Sequence, residues 1–70
     1  MVVRVGDEWG VKELSEWLFK YFSAPYRIVI LRPGKSPLSC SDVCVSGDYI
    51  RISNMFIDDD GFLVIIGEVI

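Results

Sequence analysis

Hydrophobic residues follow two different rhythms along this chain, and each change of rhythm marks an element. Val2, Val3 and Val5, interrupted by Arg4, read as a short first strand closed by Gly6-Asp7. From about Glu8 to Phe22 the spacing lengthens: Val11, Leu14, Leu18, Tyr21 and Phe22 recur every third or fourth position, with Trp17 at the edge of their stripe. Lys12, Glu13, Glu16 and Lys20 fall on the opposite side. That period predicts an amphipathic helix with one face turned to a core, and Glu16 with Lys20 stands in the favourable i,i+4 order. Two starts fit: Asp7 as a direct cap, or Gly10 as the cap with Glu13 third in the helix and Trp9 stapled onto Leu14. Pro25 ends the helix, because its ring disfavours helical geometry at Ala24.

Beyond Pro25 the rhythm shortens. Tyr26 to Leu31 places Ile28 and Ile30 on one side and Val29 and Leu31 on the other, the pattern of a strand inside a sheet. Should this strand and the first be parallel in one sheet, the helix between them is a right-handed crossover. Arg32 to Pro37 predicts a turn, continued as loop through Leu38 to Ser41. Val43 and Val45, then Ser46-Gly47, then Tyr49 to Ile52 predict one hairpin. Met55-Phe56-Ile57, Asp58 to Gly61 and Phe62 to Ile66 predict a second. A four-residue turn at Asp58 to Gly61 sets Ile57 against Phe62, Arg51 against Glu68 and Ile50 against Val69, the charged pair supporting that register. A two-residue Asp60-Gly61 turn gives a different one.

The prediction is a single α+β domain over residues 1–70, in which one amphipathic helix (about 8–22) packs on a small, mostly antiparallel sheet in the order β-α-β-β-β-β. Seventy residues bury only about 60% of the surface the unfolded chain exposes, so such a domain is marginal without help. Apolar residues make up 51% of the chain and the mean hydropathy is +0.40, more apolar surface than so small an interior can hide. Contiguous uncovered apolar surface marks an interface. Self-association or docking on another protein is therefore the expectation.

Charge narrows the partners. A net charge of −3 and a sequence pI near 4.6 argue against the counterion-release binding that basic proteins use on nucleic acid. No apolar run reaches membrane-spanning length, and Met1 to Glu8 lacks the basic-then-apolar layout of a signal peptide. The expectation is a soluble cytoplasmic protein with no membrane contact.

Motifs that suggest chemistry each meet a simpler account. Gly34-Lys35-Ser36 after a strand invites comparison with a phosphate-binding loop, but Val29 stands where that loop needs its first glycine, and Pro37 opposes the helix that must follow. Cys40 and Cys44 are read as packed or partly exposed thiols. In a strand their Cα atoms would lie about 13 Å apart, beyond disulfide reach, so a bridge requires a turn between them; two thiolates without histidine fall short of a zinc site unless two chains share it. Asp58-Asp59-Asp60-Gly61 carries the carboxylates of a calcium loop without the rest of its ligands, since Phe56 and Gly67 occupy the first and bidentate positions. The chain has no histidine, which deprives an enzyme of its usual proton shuttle near neutrality. No catalytic residue, metal or cofactor is assigned.

The reading is thus a non-enzymatic interaction module. Phe62 to Ile66 is apolar at alternate and intervening positions alike, so it cannot leave one face wet: either the helix covers one side and a partner the other, or the strand is central. The expected interaction surface comprises Trp17, Phe19, Phe62, Val64 and Ile66. The alternative is a small nucleic-acid-binding accessory protein, in which Arg27, Arg32, Lys35 and Arg51 interleave with Tyr26 and Tyr49 as a stacking platform.

Overall fold

The computed structural model describes residues 3–22, 25–41 and 47–70, which form β1 (Glu8–Gly10), α1 (Val11–Tyr21), β2 (Tyr26–Leu31), β3 (Leu38–Ser41), β4 (Tyr49–Ile57) and β5 (Leu63–Val69). The strands make one sheet in the order β1-β4-β5-β2-β3. Three of its ladders are antiparallel and one, between β2 and β5, is parallel. This is the expected α+β architecture and element order. Because β4 runs antiparallel to both β1 and β5, β1 and β2 point the same way, and α1 carries the chain between them across the two central strands.

The helix starts at Gly10, the second of the two starts the sequence allowed. Gly10 is extended (φ −67°, ψ 135°) and lends no side-chain hydrogen bond. The first helical amide, Val11 N–H, is satisfied instead by the Asp48 carbonyl at 2.9 Å. Glu13 in the first turn and Lys20 in the last complement the helix dipole. Asp7 caps an earlier turn: its carboxylate accepts the Arg4 N–H at 3.0 Å, while its own N–H donates to the Arg4 carbonyl. That turn corrects the first predicted strand. Val3 enters the core, the chain then reverses through Gly6 at a φ of +96°, and the ladder begins three residues later than Val5, at Glu8. Trp9 lies against Trp17, with ring centroids 6.4 Å apart.

Leu38 to Ser41, expected as loop, is an edge strand. The Arg32–Ser36 turn brings it back along β2, with Ile30 facing Leu38 and Ile28 facing Cys40. The first predicted hairpin falls partly on residues 42–46, outside the described residues. At Tyr49 to Arg51, however, β4 is already paired with β1 on one side, and Ile50 and Arg51 with β5 on the other.

The second hairpin forms, with a compensated register. Ile57 faces Leu63, one residue further than expected, and the ladder shifts between Ile52 and Asn54, so that Arg51 still faces Glu68 and Ile50 still faces Val69. The turn is one residue longer because Gly61 adopts φ +84° after a tight turn closed by Gly61 N–H on the Asp58 carbonyl. Ser53, the extra residue of the bulge, donates its hydroxyl to the Ile66 carbonyl at 3.2 Å.

Val11, Leu14 and Leu18 of α1 pack with Tyr26, Ile28, Ile30, Ile50, Ile52, Leu63 and Ile65 in the core. Ser15, fully buried among them, is within 2.9 Å of the Tyr26 hydroxyl, which also donates to the Ser15 carbonyl. This polar bond fixes the height of the helix over β2.

Candidate functional site

The residues that alternate with the core positions build the second face of the sheet, and α1, the one helix among the described residues, lies on the other side. The strand registers arrange this face in three rows. Phe56, Val64 and Arg27 form the first, Asn54, Ile66, Val29 and Ser39 the second, and Glu8, Arg51, Glu68 and Leu31 the third. The centre is apolar and the ends are charged.

Burial across this face grades outward from β5. Val64 is only 6% exposed, flanked in register by Phe56 and Arg27, whereas Ile66, Val29 and Leu31 are half-buried. Phe56 and Tyr49 are 43% and 50% exposed. A β5 that is apolar on both sides therefore has its helix-facing half in the core and its other half covered, among the described residues, by lateral neighbours. Of the two placements the pattern of Phe62 to Ile66 allows, the strand is the central one of the sheet, and among the described residues no second helix lies on the face opposite α1.

Charges on this face are partly committed. Arg51 donates from Nη2 and Nε to Glu8, at 2.8 and 3.3 Å, so it turns toward β1 although its register neighbour on β5 is Glu68. Arg27 lies over the Phe62 ring at 5.0 Å, which directs the side chain along the face. Among the described residues neither Arg27 nor Glu68 forms an ion pair.

The structure divides the expected interaction surface. Val64, Ile66 and Phe62 belong to the open sheet face or its rim. Trp17 and Phe19 are on the helix, across the molecule; Phe19 is the most exposed large apolar side chain described, at 69%. Trp17 packs between Trp9 and Tyr21, the latter at 5.4 Å, and Lys20 covers Tyr21. The two groups cannot serve one partner surface. Val29, Leu31 and Phe56 complete the sheet patch and were not singled out from the sequence, although the alternation in Tyr26 to Leu31 already put Val29 and Leu31 on a common side.

The alternative basic platform is not assembled. Tyr26 is buried in the core with its hydroxyl on Ser15. Arg32 donates from Nε and Nη2 to the Ser36 carbonyl, closing its own turn, and Arg51 is neutralised by Glu8. Arg27 and Arg32 lie at opposite ends of β2, about 16 Å apart along the strand. Lys35 is exposed in the turn, and Tyr49 stands on the open face.

Two open depressions lie where β2 and β5 end. One of about 390 Å³ is lined by Arg32, Pro33, Lys35, Asp48 and Val69, and one of about 270 Å³ by Leu31, Arg32, Pro33, Glu68 and Val69. Their shared guanidinium is the one that holds the turn. Gly34-Lys35-Ser36 leads into an edge strand, and Lys35 N–H bonds the Arg32 carbonyl, so the segment is a turn. In the acidic cluster, Asp58 Oδ1 accepts the N–H groups of Asp60 and Phe62, each at 2.9 Å. No group of three or more potential metal ligands occurs among the described residues.

Cys40 corrects the reading of the cysteines as thiols: it is disulfide-bonded. Its side chain faces the core side beside Ile28. Cys44, the chain's other cysteine, lies outside the described residues. No described helix is long and apolar enough to cross a membrane. Comparison with protein-family models, with curated proteins and with solved structures yields no match, so the uncovered sheet face is interpreted from its own chemistry.

Proposed function

We propose that this protein is a non-enzymatic interaction module that docks on protein through the open face of its sheet. The observation that supports the reading is the apolar centre Val29, Leu31, Phe56, Val64 and Ile66 on a face that α1 does not cover. A two-layer α/β domain with a wet second face normally alternates polar residues there. Here β2 and β5 keep aliphatic residues on both sides. Single exposed apolar residues need no explanation, but adjacent ones in three neighbouring strands do.

A photo-crosslinking residue placed at Ile66, with a control at Glu16 on the polar helix face, tests the reading in the purified protein and in its native cell. Protein adducts from position 66 with none from position 16 support it. Equal labelling from both positions, or none from either, refutes it.

The cytoplasmic expectation gives way, in this reading, to an oxidising compartment or the interior of a hyperthermophile, where disulfides persist. Cys40 is the supporting observation, and a thiol titration of freshly isolated protein under denaturing conditions tests it.

A further inference from the structure

We infer that the occupant of the open sheet face is a second copy of this chain, packed face to face with its strands antiparallel, on a two-fold axis that crosses the row containing Ile66 and Val29. The inference rests on the docking reading above and adds the partner and its geometry.

The face is self-complementary about that row. A two-fold axis lying in the interface, perpendicular to the strands, exchanges the first row with the third and returns the middle row to itself. Ile66 then meets Ile66 and Val29 meets Val29 at the centre. Arg27, at one end of β2, comes over Leu31 of the second copy, whose neighbour across the β2-β5 ladder is Glu68. Symmetry makes this contact twice. Among the described residues, Arg27 and Glu68 are the charges of these rows that form no ion pair, whereas Arg51 and Glu8 already satisfy each other. Face-packed sheets lie about 10 Å apart, a gap that an arginine and a glutamate reaching from opposite sides can close.

Charge favours a like partner. Glu8, Arg51, Glu68 and Arg27 sum to zero on this face, so the chain's net −3 resides elsewhere and does not oppose apposition here. Aligned sheets also tolerate a mutual rotation of about 30° without losing the central contacts.

The test mixes charge-reversed copies. Arg27→Glu and Glu68→Arg each place like charges at both symmetric contacts, and each variant should self-associate at least ten-fold more weakly than the wild type by sedimentation equilibrium. Mixed together, the two variants restore both pairs, one in the native polarity (Arg27 with Glu68) and one reversed (Glu at 27 with Arg at 68), and should form a one-to-one dimer at close to wild-type affinity. Glu68 is exposed, so Glu68→Arg folds even if Arg27→Glu does not; wild type mixed with Glu68→Arg should then bind with an affinity between those of the two homodimers. A wild type that stays monomeric at about 100 μM overturns the inference. So does a dimer indifferent to both reversals. In either case, adducts to other proteins from position 66 would leave the docking reading standing, whereas their absence would remove it as well.

Discussion

Replacing Gly67 by alanine tests the core directly, because the structure specifies what the new methyl group would meet. Gly67 sits on the helix-facing side of β5 between Ile30 and Ile52 in the flanking strands. A Cβ built there lies 2.5 Å from Ile50 Cδ1, 3.0 Å from its Cβ and 3.1 Å from its Cγ1. Carbon atoms prefer about 3.5–4.0 Å, and Ile50 is fully buried with its Cβ fixed to the backbone, so a rotamer change cannot clear the overlap. Overpacking of this kind costs about 1–3 kcal/mol, offset by about 0.4–1 kcal/mol from the reduced freedom of the unfolded chain. The expected net loss is about 1–2 kcal/mol, or a fall in Tm of very roughly 4–16 °C for a domain of this size.

Ile50→Val removes the Cδ1 that makes the shortest contact, at a cost of its own of about 0.5–1.5 kcal/mol. Urea unfolding followed by the fluorescence of Trp9 and Trp17 gives the double-mutant cycle, run at one protein concentration because association adds to apparent stability. The pair should lose at least about 0.5 kcal/mol less than the sum of the single changes. A neutral Gly67→Ala, or strict additivity, would show that the steric argument is wrong.

Tyr26→Phe removes the hydroxyl that bridges to Ser15 in the core and should cost about 1–2 kcal/mol in the same assay, with no change in oligomeric state. Gly61→Ala forces a methyl group onto a backbone at φ +84° and should cost about 1–2 kcal/mol, loosening the hairpin tip as read by amide exchange at Phe62. Arg51→Ala breaks an ion pair whose side chains are both substantially exposed; we expect less than about 1 kcal/mol, shrinking further in high salt.

The helix and the core strands are legible because each carries a periodic apolar signal: three and four for Val11, Leu14 and Leu18, two for Ile28, Ile30 and Ile50, Ile52. The edges are not. Leu38-Ser39-Cys40-Ser41 has two serines and a single aliphatic residue, and only its pairing to β2 makes it a strand. Glu8-Trp9-Gly10 fits the end of a helical stripe as well as it fits a strand, and the ladder with β4 decides between them. The far register of the second hairpin agreed because two features cancel, a longer turn at Gly61 and a bulge at Ser53, neither of which leaves a pattern that alternation detects. The candidate face was half visible: doubly apolar strands signal a second covered side, but which residues share that side depends on strand order. That order separates Trp17 and Phe19 from Val64 and Ile66, and it removes Tyr26 from any surface.

The claim that the open sheet face joins two copies of the chain is tested most directly by sedimentation velocity of the wild type and of Ile66→Lys across a concentration series. The expected result is a wild type whose mass rises from 7.9 kDa toward twice that value, and a variant that folds normally yet stays at the monomer mass throughout, because in a lone copy the lysine at this half-buried position reaches water. Identical behaviour of the two proteins, whether both monomeric or both paired, would contradict the account.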